Sequence, residues 1–160
     1  MMFGPITRYF RKRPSRRYPE RFIQGVDYVE IEHPEYKYEM IRSRGTQTRH
    51  LGYDIRHKYF HLQPTGMLFI FFGYRSDGPS GPTEDTPSFM RPAFGHDVSF
   101  QILREGLIPD EDREEFFDDA NADLQAHAKE DGMMWPRYYL VYTAVDSMGA
   151  KHAKKETADA

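Results

Sequence analysis

The sequence predicts an α+β fold, with a small antiparallel sheet in the N-terminal half followed by a three-helix C-terminal unit. Short apolar and aromatic runs separated by turn residues occupy residues 22–75. Longer segments with helix start and stop signals follow from Thr86 onwards. Because the strands precede the helices and do not alternate with them, this order favours α+β over a doubly wound sheet.

Five short segments have the composition of strands: Val26–Ile31, Tyr38–Ile41, Leu51–Ile55, Tyr59–Leu62 and Met67–Tyr74. The second and third flank a polar stretch that contains Gly45, which indicates a hairpin. The last is almost continuously apolar, which is typical of a strand at the centre of a sheet. These segments account for the whole predicted sheet.

Three helices are predicted after a loop rich in glycine and proline at residues 77–83, and they cover about 87–105, 110–129 and 134–145. Thr86-Pro87 has the form of an N-cap followed by proline at the first helical position. Asp110 is a suitable cap for the second helix. Glycines at 106 and 132 are expected to end the first and second helices.

Charge divides the chain into three predicted parts. Residues 1–21 hold seven basic residues, one acid and three helix-breaking prolines, so we expect an extended basic arm. Residues 22–146 form the single predicted domain, and residues 147–160 have nothing apolar to bury and are expected to be a flexible tail. Because the whole chain carries −3 and the arm carries +6, the remainder carries −9.

The arm has the composition of a binding segment, and its candidate binding residues are Arg8, Arg11, Lys12, Arg13, Arg16 and Arg17. Basic residues interleaved with aromatic rings suit phosphate contacts with base stacking. They suit equally well an extended peptide that lies along a neighbouring subunit. The negative charge of the remaining chain favours the protein partner, and nucleic acid stays an alternative.

Composition excludes several classes of protein. The chain has no cysteine, which excludes disulfides, thiolate metal ligands and a cysteine nucleophile. The longest apolar run is six residues, 67–72, against the roughly 20 that a membrane helix needs, so no membrane span is expected. No apolar core follows the basic N-terminal residues, so no secretory signal is expected either.

The strongest candidates for chemistry are His96 and Asp97 in the first predicted helix. Two helices joined by a short connection pack antiparallel, so one of these side chains should meet Asn121 on the second helix. His96 would then act as a general base or metal ligand, with Asp97 or Asp77 orienting it. The other interpretation, which we favour, is a hydrogen-bonded core that holds the loop against the helices.

Other polar residues carry weaker signals. Asp77, Glu84 and Asp85 bracket the loop and suit acid–base or metal chemistry, although carboxylates in loops more commonly form turns and caps. His57 and His61 should share one face of a strand, but no third metal ligand is evident. We therefore expect no cofactor, and a divalent metal at His96, Asp97 and Asp77 only if the chain is an enzyme.

A longer pattern runs through the loop and the helices: residues 77–83, Asp85-Thr86, Phe89–Ala93, His96-Asp97, Leu103–Leu107, Ala120-Asn121, Glu130–Met133, Arg137, Val141-Tyr142 and Val145. It resembles a phage and prophage family, domain of unknown function 1353, over about residues 66–149. The resemblance implies a small helical unit behind a short sheet, encoded among phage late genes near tail and lysis functions. It also implies five positions to examine: Asp77, Arg91, His96, Asp97 and Asn121. At the position of Asn121 the family is expected to have Asp.

The function expected first is therefore a bacteriophage virion-associated structural or accessory protein, linked to tail, neck or capsid. It would be made in the host cytoplasm and bind other virion proteins or copies of itself. The alternative is a phage-encoded hydrolase of the host cell wall, with or without a divalent metal, that uses His96, Asp97 and Asp77. Nucleic-acid binding through the arm ranks last.

Overall fold

The computed structural model of the chain describes residues 26–78 and 87–133. The predicted arm, the predicted C-terminal tail and the predicted third helix at 134–145 lie outside these residues. Within them no helix is long and apolar enough to cross a membrane.

Seven short strands in the described residues form two antiparallel sheets. The first sheet has three strands in the order β1 (Tyr28–Glu30), β2 (Tyr38–Met40) and β7 (Arg75–Ser76). The second has four strands in the order β3 (Arg44–Gln47), β6 (Met67–Ile70), β5 (Phe60–Leu62) and β4 (Ile55–Arg56). The apolar segment β6 lies between β3 and β5, which confirms its predicted central position.

Two helices follow the strands, α1 (Pro87–Arg104) and α2 (Arg113–Glu130), with a 3₁₀ turn at Asp110–Asp112 between them. Both end in the predicted way. Gly106 adopts φ 61° and donates to Leu103 O, while Leu107 donates to Ile102 O. Gly132 repeats this pattern at the end of α2, with φ 83°. Glycine is favoured at both positions because a side chain disfavours the left-handed conformation.

The core lies between helix α1 and the two sheets. Met90, Phe94, Val98 and Ile102 occur four residues apart and form one buried stripe along α1. Alternate residues of the central strands of the second sheet face this stripe: Phe60, Leu62, Leu68 and Ile70. Phe94 also approaches Tyr28 of β1 at a ring distance of 6.4 Å, so α1 contacts both sheets.

The predicted fold class is right in being α+β and wrong in its detail. The strands form two sheets because β2 pairs with β1 and β7, whereas β3 starts four residues later and pairs with β6. The predicted hairpin is therefore wrong, since the polar stretch between its arms contains strand β3. The three-helix unit is also wrong: the described part of the C-terminal half contains two helices, α1 and α2.

Candidate functional site

His96 contacts Asn121, as the antiparallel packing of the two helices predicts. Its Nε2 lies 3.0 Å from Asn121 Oδ1, and because that oxygen can only accept, the imidazole donates. Asn121 is 4% exposed, and His96 is partly buried against the ring of Phe100. Burial lowers the pKa of His96 to about 4, so the imidazole is neutral near pH 7.

Asp97 points away from this contact. Successive side chains on an α-helix diverge by about 100°, so Asp97 faces β7 while His96 faces α2. Its Oδ2 accepts a short hydrogen bond from Ser76 Oγ, and Ser76 Oγ accepts in turn from the main-chain N–H of Gly78 at 2.9 Å. The predicted cluster therefore divides into two sites on different sides of α1.

The electrostatics of Asp97 differ from those of a surface carboxylate. Burial raises its pKa to about 7, and the nearby carboxylate of Asp77 adds to the rise. The hydrogen bond from Ser76 and the positive charge of Arg104 act in the opposite direction. Asp77 itself is exposed, and no contact joins it to His96 in the described residues. Glu84 and Asp85 lie outside them.

Arg91 forms a buried ion pair that joins the start of α1 to the end of α2. Its guanidinium is 4% exposed and donates from Nε to Asp131 Oδ2 and from Nη2 to Glu130 Oε2, both at 2.8 Å. It also contacts the main-chain oxygen of His127 at 3.3 Å. Of its two carboxylate partners, Asp131 is 5% exposed and Glu130 63%, so Asp131 is the buried counter-charge.

A second group of buried polar residues lies between α2 and the segment that begins with β3. His50 is 2% exposed, its ring stacks on Phe116 at 3.7 Å, and its Nε2 lies 3.1 Å from Ser99 Oγ. Ser99 donates to Gly95 O at 3.1 Å, so its oxygen accepts from the imidazole. Burial lowers the pKa of His50 to about 4. Sequence reasoning missed this pair.

Asp123 and His127 belong to the same group. Asp123 accepts from Arg49 N at 2.9 Å, and His127 Nε2 donates to Gln47 O at 2.9 Å. Asp123 also pairs with the side chain of Arg49 at 3.3 Å. Burial raises the pKa of Asp123 to about 6, although Arg49 opposes the rise. A sequence signal did exist, because Asp123 and His127 are four residues apart, the spacing that places two side chains on one face of a helix.

His57 and His61 do not share a strand. His57 occupies the turn between β4 and β5, where its ring stacks on Phe60 at 4.4 Å. His61 lies within β5, and its Nε2 is 2.6 Å from Asp54 Oδ1. Across residues 26–78 and 87–133, no three His, Asp or Glu side chains converge in a way that could hold a metal ion.

No protein-family model matches the chain, and no match was found among curated proteins or solved structures. The resemblance to the phage family therefore rests on the motif residues alone. Among those residues, His96 and Asn121 are in direct contact, Arg91 links the helix ends, and Asp97 and Asp77 lie together beside β7.

Proposed function

We propose that this chain is a bacteriophage virion-associated structural or accessory protein that acts through protein–protein contacts. The observation that supports the proposal is how the motif side chains are used. His96 bonds to Asn121, Asp97 to Ser76 and Arg91 to Asp131, so each joins one element of the fold to another. Side chains that join elements stabilise a rigid domain. This stabilising role accounts for the sequence motif, and no reaction is needed to explain it.

The negative charge on the helical surface of the domain favours a positively charged partner. The exposed acids of α2 and of the connection before it form an acidic surface: Glu105, Asp110, Glu111, Glu114, Glu115 and Asp118. Burial raises the pKa of Asp119, and the negative charges of Glu115 and Asp118 add to the rise. The basic arm of residues 1–21 has the complementary charge. Other virion proteins or further copies of the chain are therefore the proposed partners.

The test is incorporation into particles. We would compare the full chain with variants that lack residues 1–21 or residues 147–160. Each is expressed in a bacterial strain in which the phage carries no other copy of the gene for this chain. We expect the full chain and the tail-deleted variant to copurify with particles, and the arm-deleted variant to fold but be absent from them. Absence of the full chain from particles, or normal incorporation without the arm, contradicts the proposal.

One observation favours the alternative, a cell-wall hydrolase. With its pKa raised to about 7, Asp97 is available as a proton donor, and Asp77 beside it is an exposed carboxylate that can accept one. The assay is release of soluble fragments from peptidoglycan, with and without added divalent cation. Release that Asp97→Asn abolishes, although the variant is folded and at least as stable as the wild type, supports the enzyme. Release by Asp97→Asn that equals release by the wild type counts against the enzyme. So does the absence of release by the wild type.

A further inference from the structure

The second sheet has a face that points away from helix α1. The residues of β5 and β6 that face the buried stripe of α1 alternate with residues that point to the opposite side, because successive side chains of a strand alternate. We call that opposite side the far face, and it carries Gly45, Met67, Phe69, His61 and Arg56. The strand register places four of them in one row across the sheet, in the order Gly45, Phe69, His61 and Arg56.

The far face is more apolar and less exposed than a sheet face in water. A Cβ on Gly45 would lie 2.8 Å from the ring of Phe69, so this ring lies over the glycine, towards the edge strand β3. Phe69 and Met67 are half-buried, and His61 is 4% exposed. Both Phe69 and His61 have further contacts, so neither side chain is free. Because the solvated face of an antiparallel sheet ordinarily carries polar side chains, these properties indicate a face with a cover.

The two helices in the described part of the chain do not supply this cover. Helix α1 packs on the opposite face, against the apolar residues of β5 and β6. Helix α2 packs on α1 and bonds to main-chain groups at and just beyond the edge strand β3, through His127 and Asp123. Residues outside the described ranges, or a partner, are therefore the candidates for the cover.

The chain enters the described residues beside this sheet. Asp27 Oδ2 accepts from Arg44 Nε at 3.0 Å, and Arg44 begins the edge strand β3. Neighbouring strands lie about 4.8 Å apart, so four strands span about 14 Å, which an extended chain crosses in about five residues. The segment that immediately precedes Val26 is therefore long enough to reach the whole row from Gly45 to Arg56.

Residues 17–25, Arg-Tyr-Pro-Glu-Arg-Phe-Ile-Gln-Gly, have a composition that complements the far face. In an extended segment Tyr18, Glu20 and Phe22 point to the same side. Their two rings suit an aromatic surface. Glu20 has the charge opposite to that of Arg56, whose side chain is 72% exposed.

The aromatic segment that follows Met133 is a less suitable cover. Met133 packs with Phe89, Leu124 and Ala128 in a second apolar cluster, to which both helices contribute. The chain therefore leaves the described residues among the helices, whereas it enters them at the sheet. This difference favours the segment before Val26.

We propose that residues 17–25 lie across the far face, with the rings of Tyr18 and Phe22 packed on that of Phe69. The chain thereby covers its own second sheet. Residues 1–16, with five of the seven basic residues of the arm, extend beyond this contact and stay available to a partner. The inference does not rest on the proposed function, because it concerns only which part of the chain covers the sheet.

The test is nuclear magnetic resonance of the full chain, following nuclear Overhauser effects from the Phe69 ring and the Met67 methyl group. We expect both groups to contact the ring of Phe22 within the same chain. An isotope-filtered spectrum of mixed labelled and unlabelled chains distinguishes this from a contact between two copies. Contacts found only between copies, or only with residues 134–145, overturn the proposal. So does the absence of any contact with residues 17–25.

Phe22→Ser gives a second measurement, with Phe3→Ser as the matched control outside the segment. Phe22→Ser should shift the Met67 methyl resonance, because the ring current of Phe22 is lost. It should also lower the thermal unfolding temperature by about 4–8 °C, because an apolar contact is lost. Phe3→Ser should leave both quantities almost unchanged. Equal effects of the two substitutions contradict the proposal, and the contacts of the wild type decide if Phe22→Ser does not fold.

Discussion

His127 on helix α2 donates from Nε2 to the main-chain oxygen of Gln47 at 2.9 Å, across the free edge of strand β3. One turn earlier on the helix, Asp123 accepts from the main-chain N–H of Arg49. Residues four apart on a helix rise about 6 Å and residues two apart on a strand about 6.6 Å, so the two spacings match. Among the described strands β3 pairs only with β6, so the side chains of α2 take the place of a further strand at its other edge.

Removing either side chain should destabilise the domain. Asp123→Ala and His127→Ala should each lower the free energy of unfolding by about 1–3 kcal/mol, because each leaves a main-chain group without its partner. Urea unfolding measures the loss, and Glu114→Ala, an exposed change on the same helix, should have almost no effect. Exchange of the Arg49 amide should accelerate more in Asp123→Ala than in His127→Ala. Equal acceleration in both would contradict the paired geometry.

The helix ends could be predicted from the sequence, whereas this edge contact could not. Gly106 and Gly132 end helices through contacts within five residues, so local sequence is sufficient. Asp123 and His127 bind main-chain groups 74 and 80 residues away. Thr46, Thr48 and His50 are buried although polar, so the segment 46–50 looks like a surface loop in a hydrophobicity pattern. The burial of His50 depends on tertiary packing, because its ring stacks on Phe116 of α2 and lies 3.1 Å from Ser99 of α1.

Only part of the candidate site could be predicted, because the rest again depends on how the elements pack together. The contact between His96 and Asn121 follows from two helices with a short connection, which sequence signals identify. The direction of Asp97 depends on the rotation of α1 about its axis, which the core sets by burying Met90, Phe94, Val98 and Ile102. Adjacent residues in a motif do not point to one site when they lie on a helix.

The buried ion pair of Arg91 predicts a large loss on truncation. Arg91→Met should lower the free energy of unfolding by about 3–5 kcal/mol, because it leaves the carboxylate of Asp131 buried without a counter-charge. Gln101→Ala, which removes an exposed bond on the same helix, is the control and should cost less than about 0.5 kcal/mol. Combining Arg91→Met with Asp131→Asn should recover part of the loss. A double variant as unstable as the sum of both single variants argues against a coupled pair.

Gly78 should tolerate substitution less well than another glycine of similar backbone conformation. Gly78 and Gly52 have φ of +77° and +86°, so alanine is strained at both. A Cβ at Gly52 meets nothing within 4 Å, whereas at Gly78 it would lie 2.5 Å from the ring of Tyr38. Gly78→Ala should therefore lower the thermal unfolding temperature more than Gly52→Ala, by a difference worth about 1–3 kcal/mol. Equal losses would mean that the contact with Tyr38 does not constrain this residue.

Buried acids and histidines should give the domain opposite dependences of stability on pH. The pKa of Asp97 is raised to about 7 in the folded chain, against 3.8 as the ordinary value. The folded chain therefore retains a proton that the unfolded chain loses, and this group lowers stability increasingly as pH rises from about 4 to 7. Asp97→Asn should accordingly gain stability over the wild type at pH 8, and the gain should disappear near pH 4. Its slope is at most about 1.4 kcal/mol per pH unit.

His96 should show the reverse. Its pKa is lowered from 6.5 to about 4, so the unfolded chain takes up a proton that the folded chain refuses, and stability falls as pH drops from 6.5 to 4. His96→Gln loses the contact between the imidazole and Asn121, which lowers the free energy of unfolding relative to the wild type. This difference should shrink as pH falls through the same interval. Urea unfolding at intervals between about pH 4 and pH 8 measures both differences, with Glu114→Gln as the exposed control. Difference curves that slope in the same direction for Asp97→Asn and His96→Gln would show that burial does not set these two pKa values.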